Sequence, residues 1–334
     1  MNVLFASSTR FPWFESQDAE EHLRRAPYSI NAIGCHLVRR GHSVAWAGWN
    51  TTAHPRRLAR LIDDTHPDVI YTYGSTTALM PLFCRRFCRW EGFKVVHGWD
   101  DAYGDIWGDF AGWPGRVFMN WMERRIVKNS DAVVTLSRYL QQRGRAWSVE
   151  CHYIPNGADP VDSLDRHGDI TLTGRFNLVY TGDKARWKRT ADVCEAMRHV
   201  PSDIKLYLTG QNEDYLREYA SENCVFLGFL PKHEQYHVMS QADAFVVTAD
   251  QDCNAKLQEY LRWEKPILGY DGRANLFFQN GRNALLTRDY PTAILRLAND
   301  PAFCADLARN AKADLPVQSW TEIATLFEEF FQTL

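Results

Sequence analysis

The chain has 334 residues, which exceeds one ordinary domain and suits two domains of roughly 100–200 residues each. Apolar residues make up 45% of the chain and charged residues 24%, the balance of a globular protein with buried cores. The 38 Lys and Arg against 41 Asp and Glu give a net charge of -3, which disfavours nucleic acid as the main partner.

The sequence was compared with the patterns of signal peptides, membrane-spanning helices and cysteine ligand sets. Its first residues contain no basic leader followed by a long apolar run, so we expect no signal peptide. No stretch approaches the roughly 18 uncharged apolar residues that a membrane-spanning helix needs. The eight cysteines are scattered, and Cys84 with Cys88 lacks the further ligands of a zinc site. We therefore expect a cytoplasmic protein with reduced cysteines.

Apolar runs of strand length alternate with stretches of helical periodicity in the N-terminal half. We predict strands over residues 3–6, 43–46, 69–73, 94–97, 132–136 and 151–154. We predict helices over residues 28–40, 55–64, 76–90, 114–129 and 137–147. This strict alternation indicates a parallel sheet that is covered by helices on both faces.

The alternation stops at a turn over residues 156–160 and restarts after Gly174. We predict further strands over residues 177–181, 205–208, 225–227, 244–248, 266–268 and 283–286. The further predicted helices cover residues 188–199, 213–221, 233–241 and 255–263. The pattern predicts two open α/β sheets joined near residues 157–175, with ligands at the carboxyl ends of the strands, in a cleft between the sheets. One long doubly wound domain is the open alternative.

Short segments along the chain carry a resemblance to a known family. The segment YIPNGAD at residues 153–159 closely resembles the one that closes the first domain of retaining GT-B glycosyltransferases, of family four in particular. Other segments along the chain are also similar to the family's and occur in its order: LVRRGHSV at 37–44, SDAVVTLS at 130–137, VYTG at 179–182, VFLGFL at 225–230 and KLQEY at 256–260. Each segment alone is unspecific, but their order and spacing together indicate the family.

The resemblance implies an α/β protein of the GT-B fold, with two Rossmann-like domains that face each other across a cleft. It implies an acceptor domain over residues 1–157 and a nucleotide-sugar donor domain over residues 175–316. The last helix, within residues 317–334, is expected to pack back on the N-terminal domain. The implied reaction moves a hexose from a nucleoside-diphosphate sugar to an acceptor with retention of configuration, and the acceptor, the sugar and the nucleotide stay open.

Glycosyl transfer leaves negative charge on the departing diphosphate, which cations and helix N-termini stabilise. Lys188 is predicted to open a helix directly after the VYTG strand and Gly182, where its ammonium can reach a phosphate. The family usually has an Arg a few residues before this Lys. Here Asp183 lies at about that place, with Lys184 and Arg186 beside it, so the second cation is left open.

The KLQEY helix supplies the other half of the predicted donor site. Glu259 matches the second Glu of the family's paired-glutamate motif, which accepts hydrogen bonds from the ribose hydroxyls. Gln251 stands where the first Glu is expected and can hydrogen-bond a sugar hydroxyl without carrying charge. Asn254, Ala255 and Lys256 begin the helix, where backbone N–H groups point outward, and Lys256 is the other candidate phosphate cation.

The resemblance also implies a base-binding position and the source of positive charge. Leu230 and Pro231 lie where the nucleotide base rests in the family. No divalent metal is expected, because the acidic pair Asp250 and Asp252 lies where the family has its paired-glutamate loop and the lysines can supply the charge. The predicted donor residues are Gly182, Lys184, Lys188, Leu230, Pro231, Gln251, Asn254, Ala255, Lys256 and Glu259.

In the N-terminal domain, the sequence HGWDD follows the strand predicted over residues 94–97. The family tends to place a His or an Asp here, near the transferred sugar, which makes His97 and Asp100 the predicted catalytic residues. A His that only supports the local structure is the alternative. No catalytic base is required if the leaving phosphate itself takes the acceptor proton, the mechanism usually proposed for retention.

Aromatic residues crowd the stretch over residues 106–125, which ends in Arg124 and Arg125. Three interpretations are open: a core-facing stripe, an acceptor platform on which sugars stack, or an interfacial helix in contact with anionic lipid. The last would make the protein peripheral to a membrane. The aromatic residues are Trp107, Phe110, Trp113, Phe118 and Trp121.

Other functions compete with sugar transfer. A nicotinamide-dependent reductase is disfavoured, since neither first strand is followed by a Gly-x-Gly-x-x-Gly turn. A transferase that modifies nucleic-acid bases is disfavoured by the acidic net charge. A sugar-nucleotide epimerase of the same fold stays open, as does a weakly active or non-catalytic donor-binding relative, for which Gln251 is the best indication.

Overall fold

The computed structural model describes residues 1–8, 10, 16–18, 21–22, 29–74, 76–253 and 255–334. The chain forms two compact units. The N-terminal unit comprises Met1–Gly157 together with Gln318–Leu334, and the C-terminal unit comprises Ala158–Val317.

The N-terminal unit is built on a six-stranded parallel sheet in the order β2-β1-β3-β4-β5-β6. Its strands are β1 Asn2–Ser7, β2 Ser43–Ala47, β3 Val69–Tyr73, β4 Lys94–Trp99, β5 Ala132–Thr135 and β6 His152–Tyr153. Each lies within two residues of its predicted bounds. Buried apolar side chains on both faces of the sheet explain why these runs are almost uninterrupted rather than alternating.

The helices of this unit are α1 Ser29–Arg39, α2 Trp49–Thr52, α3 Pro55–Thr65, α4 Leu79–Cys84, α5 Tyr103–Asn129 and α6 Arg138–Ala146. Helix α4 is much shorter than the helix predicted over residues 76–90. The carboxylate of Asp63 accepts hydrogen bonds from the backbone N–H groups of Arg89 and Trp90, at 2.8 and 2.9 Å. These long-range bonds satisfy the backbone without continuing the helix.

The chain returns to this unit at its C-terminal end. Helix α12, Trp320–Gln332, begins at a capping box in which the side chains and backbones of Ser319 and Glu322 exchange hydrogen bonds. Its apolar stripe packs on the sheet and on α1, with the rings of Phe327 and Phe331 against Tyr71 at 5.3 and 6.0 Å. The predicted return of the last helix is confirmed.

The C-terminal unit contains a second six-stranded parallel sheet, in the order β12-β11-β10-β7-β8-β9. Its strands are β7 Phe176–Thr181, β8 Ile204–Thr209, β9 Cys224–Gly228, β10 Ala244–Val247, β11 Ile267–Tyr270 and β12 Leu285–Thr287. Its helices are α7 Thr190–Ala196, α8 Lys232–Ser240, α9 Ala255–Leu261, α10 Tyr290–Asn299 and α11 Pro301–Asp314.

Two predicted helices of this unit are wrong in type or extent. Arg189 adopts a left-handed conformation with φ of 59°, which separates a 3-10 turn over Arg186–Lys188 from α7. Lys188 therefore lies in that turn and does not open an α-helix. The helix predicted over residues 213–221 is a 3-10 helix, Asp214–Glu218.

The polar segment between the two βα arrays is not a free linker. Val161, Leu164, Ile170 and Leu172 pack partly buried against the core of the C-terminal unit. The backbone N–H of Leu172 also donates to the side chain of Gln241 at 3.1 Å. No helix in the described ranges is long and apolar enough to cross a membrane.

Candidate functional site

Glycines end three adjacent strands at the carboxyl edge of the C-terminal sheet. Gly182, Gly210 and Gly228 follow or close β7, β8 and β9 with φ of 108°, 109° and 65°, which other residues rarely adopt. A side chain at Gly210 would collide with the backbone of Gly182, and one at Gly182 would approach Cε of Lys256 to 2.9 Å. The three glycines thus leave this edge of the sheet free of side chains and bring Lys256 against the backbone. We call this edge, formed by Gly182, Gly210 and Gly228, the glycine edge. Of these three positions, only Gly182 is among the predicted donor residues.

Helix α9 is held in register against this edge by Tyr260. The buried hydroxyl of Tyr260 accepts a hydrogen bond from the backbone N–H of Thr181 at 2.8 Å. The Tyr260 ring stacks on Phe245 of β10, with ring centroids 4.4 Å apart. These two contacts fix the rotation of α9, which sets Lys256 beside Gly182 and Glu259 beside Lys256.

The carboxylate of Glu259 lies within a group of cations. Lys232 donates to it at 2.9 Å, and Nζ of Lys256 lies 3.5 Å from its second oxygen. Burial alone would raise the pKa of Glu259, but Lys256 and Lys232, together with Arg262, lower it to about 2. Glu259 is therefore ionised at neutral pH. Lys232 was missed by the sequence reasoning, although it begins helix α8 directly after the predicted Pro231.

Lys188 belongs to the same charged group. The hydroxyl of Thr248, which follows β10, donates to the carbonyl of Lys188 at 2.6 Å and fixes the turn. The Lys188 ammonium lies 3.3 Å from the carboxylate of Asp183. Burial lowers the pKa of Lys256, an effect that Glu259 opposes and the nearby charges of Lys232 and Lys188 reinforce. Three lysines thus share one region, an arrangement suited to an anion with more than one charge.

The structure does not support a donor contact for Lys184. Its side chain is fully buried, with Nζ 3.6 Å from a carboxylate oxygen of Glu213, and burial lowers its pKa. Arg186 stacks its guanidinium on the ring of Tyr215 at 4.6 Å. The sequence placed these cations next to Lys188 along the chain, but the turn directs Lys184 into the interior.

The remaining predicted donor residues have varied environments. Leu230 is partly buried against the core, and Pro231 is exposed at the start of α8. Gln251 is partly buried in the loop after β10, and Ala255 begins α9. Asn254 lies outside the described residues.

The loop after β10 also contains the acidic pair. Asp250 accepts a hydrogen bond from the backbone N–H of Arg273 at 2.7 Å, and Asp252 is buried. At least one of the two carboxylates is thus engaged by the protein itself.

The two predicted catalytic residues of the N-terminal unit, His97 and Asp100, have different environments in the structure. His97 lies within β4, is only 1% exposed, and its Nδ1 is 3.2 Å from the hydroxyl of Thr72. Burial lowers the pKa of His97 to about 3, so the ring is neutral. Such burial leaves no surface for a substrate, and it favours the structural alternative for His97.

Asp100 remains the candidate of this unit. It lines a small cavity of about 20 Å³, with room for a single water, at the carboxyl ends of the strands. Burial, and then the charge of Asp101, raise the pKa of Asp100 to about 7, and the hydroxyl of Tyr103 donates to it at 3.1 Å. Tyr73 and Thr135 line the same cavity. Asp100 can therefore take up or release a proton near neutral pH.

One group in the described part of the chain could hold a metal ion. The ligand atoms of Asp165, His167 and His233 lie within 4.8 Å of one another, and the two His rings stack at 4.1 Å. None of the three belongs to the predicted donor residues.

Comparison with known proteins agrees with this architecture. Residues 11–157 match the family model of the glycosyl transferase 4-like domain. HepE of Anabaena, in complex with UDP-glucose, is similar over 100% of both chains with a TM-score of 0.73 and 15% identity. Sucrose-phosphate synthase of Thermosynechococcus elongatus is similar over 99% of this chain and 98% of its own, with a TM-score of 0.77 and 15% identity.

A proposed UDP-N-acetylglucosamine 2-epimerase of Listeria monocytogenes is also similar, over 100% of this chain and 97% of its own, with a TM-score of 0.62 and 11% identity. No curated protein matches the chain in sequence. The chain has the fold of the GT-B glycosyltransferases, and its N-terminal unit is similar to the glycosyl transferase 4-like domain over residues 11–157. The predicted resemblance and fold class are confirmed.

Proposed function

We propose that the protein is a glycosyltransferase that moves a hexose from a nucleoside-diphosphate sugar to an acceptor, with retention of anomeric configuration. The observation that carries the proposal is the group of Lys188, Lys232 and Lys256 beside the glycine edge, with ionised Glu259 among them. A diphosphate needs converging positive charge, and a ribose needs a fixed hydrogen-bond acceptor. This group offers both within one unit.

In this proposal each residue has a definite part. Lys188 and Lys256 stabilise the negative charge that develops on the leaving diphosphate, and the bare edge at Gly182 lets the phosphates approach the backbone. Glu259 accepts hydrogen bonds from the ribose hydroxyls, while Lys232 keeps that carboxylate ionised and oriented. The base rests on Leu230 and Pro231.

Transfer is proposed to need no divalent metal. The experiment is turnover in excess chelator beside turnover of Lys188→Ala, with Lys312→Ala, an exposed lysine paired with Glu264, as the control. We expect chelator to leave the rate unchanged and Lys188→Ala to lower it at least tenfold. Activity that chelator removes and magnesium or manganese restores would overturn the assignment. His167→Ala then tells whether the Asp165, His167 and His233 group is where that metal acts.

Retention is a separate proposal that rests on the family resemblance. The leaving phosphate takes the acceptor proton, so no protein base is required. Proton NMR of the first-formed product reports the anomer directly. The anomer opposite to that of the donor would contradict retention.

The first donors to test are uridine diphosphate sugars, because HepE is described in complex with UDP-glucose. A bound ligand stabilises the folded chain by mass action, so a thermal-shift screen of nucleoside diphosphates and their sugars identifies the nucleotide.

The protein is proposed to be cytoplasmic. Its eight cysteines are thiols, six of them buried, which supports this location.

A donor-binding relative without transfer activity is the second candidate, favoured by Gln251 in place of the expected Glu. A sugar-nucleotide epimerase is the third, favoured by the similarity to the Listeria protein. A product assay separates all three. A transferase consumes donor only with acceptor or water, an epimerase isomerises it alone, and a non-catalytic relative leaves it unchanged.

A further inference from the structure

Exposed apolar side chains concentrate on one element of the N-terminal unit. Most proteins scatter such residues singly over their surfaces. Here six of them lie between residues 107 and 121 of helix α5. Their exposed fractions are 47% for Trp107, 70% for Phe110, 75% for Trp113, 55% for Val117, 56% for Phe118 and 55% for Trp121.

Helix α5 is a helical hairpin rather than one straight helix. Gly112 breaks it with φ of 64° and ψ of -162°, and Pro114 follows at the start of the second arm. A side chain at Gly104 would collide with Asn120, and one at Gly108 would collide with Arg116. These nested pairs show that the two arms run antiparallel and pack closely. We call residues 103–129 the aromatic hairpin.

The base of the aromatic hairpin is anchored on the N-terminal sheet. The buried carboxylate of Glu123 accepts hydrogen bonds from the ring N–H of Trp99 at 3.3 Å and from the backbone N–H of Tyr103 at 2.8 Å. Arg143 of helix α6 lies 3.3 Å from the same carboxylate. Both arms are therefore held at their base, while every side chain from Asp109 to Pro114 is exposed. Anchoring at the base and exposure beyond it suit an element that presents its outer surface to a partner.

Charge on the aromatic hairpin identifies the chemistry of that partner. Its exposed charged residues are four basic ones and one acidic one: Arg116, Arg124, Arg125, Lys128 and Asp109. With the half-buried Asp105 and the buried Glu123 included, the hairpin carries a net charge of +1, whereas the whole chain carries -3. Trp and Phe with flanking Arg and Lys are the side chains that occupy the boundary between lipid headgroups and acyl chains.

We propose that the aromatic hairpin docks the N-terminal unit on the surface of a bilayer that contains anionic lipid. The rings of Phe110 and Trp113 enter the interfacial zone, and the guanidinium groups of Arg124 and Arg125 bind headgroup phosphates. The hairpin lies in the interface and does not cross the bilayer. This docking does not depend on the sugar that the protein transfers.

The test is co-sedimentation with vesicles of phosphatidylcholine, alone and mixed with phosphatidylglycerol. We expect the wild-type protein to bind the mixed vesicles more tightly than phosphatidylcholine alone. The double variant Phe110→Ser with Trp113→Ser should bind them at least tenfold more weakly. Phe229→Ser, which changes a side chain of matching 73% exposure in the other unit, is the control and should bind like the wild type.

A charge variant separates the electrostatic contribution to vesicle binding from the contribution of the inserted aromatic rings. Arg124→Glu with Arg125→Glu should remove the preference for anionic vesicles, since headgroup attraction is electrostatic and screened by salt. Circular dichroism should show unchanged thermal unfolding for every variant, because the altered side chains are exposed. Two results would overturn the proposal: no sedimentation of the wild type with mixed vesicles, or equal binding by the double variant. Dimerisation through the hairpin without any lipid binding would assign the surface to a second copy of the chain instead.

Discussion

Two carboxyl groups, one in each unit, lie near the carboxyl ends of parallel strands and have opposite electrostatic surroundings. Asp100 follows β4 of the N-terminal unit, beside Asp101 and the hydroxyl of Tyr103, and its pKa is raised to about 7. Glu259 of the C-terminal unit lies between Lys232 and Lys256, and its pKa is lowered to about 2. Burial raises the pKa of both, so the neighbouring charges decide the difference.

The difference indicates two kinds of site. Glu259 stays ionised at neutral pH among three lysines, which suits the binding of a ligand that needs both a fixed hydrogen-bond acceptor and cations, such as a nucleoside diphosphate. Asp100 changes its charge across the physiological range, which suits a group that meets a centre where charge develops and is then lost. The carboxyl edge of the sheet thus suits ligand binding in the C-terminal unit and proton uptake or release in the N-terminal unit.

The largest expected effect follows from removing the permanent charge. Glu259→Ala deletes a buried charged acceptor and leaves Lys232 and Lys256 without their shared partner. Bonds to charged groups contribute on the order of 1.5–3 kcal/mol, so the affinity for UDP or UDP-glucose should fall at least tenfold. Isothermal calorimetry measures the change, with Glu264→Ala, an exposed carboxylate paired with Lys312, as the control. Equal affinity of both variants would mean that Glu259 does not face the donor.

A smaller effect, on the pH dependence of the unfolding free energy, is expected when Asp100 is replaced by the neutral Asn. The folded-state pKa of Asp100 is about 7 and the unfolded value is about 3.9, so the folded state binds the extra proton between these values. The unfolding free energy of the wild type should therefore fall as pH rises from about 4 through 7. Asp100→Asn should remove this loss, which for a partly exposed group we expect to be on the order of 1–2 kcal/mol.

Urea unfolding at about pH 5 and pH 8 compares the two proteins, with the exposed Asp109→Asn as control. Parallel pH dependences for the wild type and Asp100→Asn would show that Asp100 does not titrate in this range. The two carboxyl groups would then not differ in charge at neutral pH.

The smallest effect is expected at His97, where burial lowers the pKa to about 3. Its imidazole resonances in a long-range nitrogen–proton NMR spectrum should stay constant from about pH 5 to pH 8. The exposed His199 provides a reference ring in the same sample. Titration of His97 within that interval would show that the ring is accessible, and it would return His97 to the set of catalytic candidates.

The fold was predictable from the sequence to a large extent. Every strand lies within two residues of its predicted bounds, because a buried parallel strand is a short apolar run that stands out between helices. The break in the strand–helix alternation at residues 156–160 and the apolar stripe of α12 were also readable from local pattern. Helix ends were less predictable, as α4 and the turn at Lys188 show, because distant side chains such as Asp63 and Thr248 bind the backbone there.

The candidate site was predictable only in part. Glu259 and Lys256 lie together because they share one helix, and spacing along a helix is visible in the sequence. Lys232 escaped prediction because it reaches Glu259 from another helix, 27 positions away along the chain. Lys184 was predicted to face the donor, but the turn after β7 buries it against Glu213.

The sequence by itself determined two βα arrays, the break that separates them and the helix pair Lys256 and Glu259, because hydrophobic periodicity and helical spacing record local structure. The tertiary structure decided which charges meet. The order β10-β7-β8-β9 brings α9 against the glycine edge and Lys232 against Glu259. It also decided that His97 is interior and that the aromatic residues of α5 are exposed along a hairpin. Coulombic contact and burial depend on distances through space, which strand order and close helix packing set, and spacing along the chain does not record them.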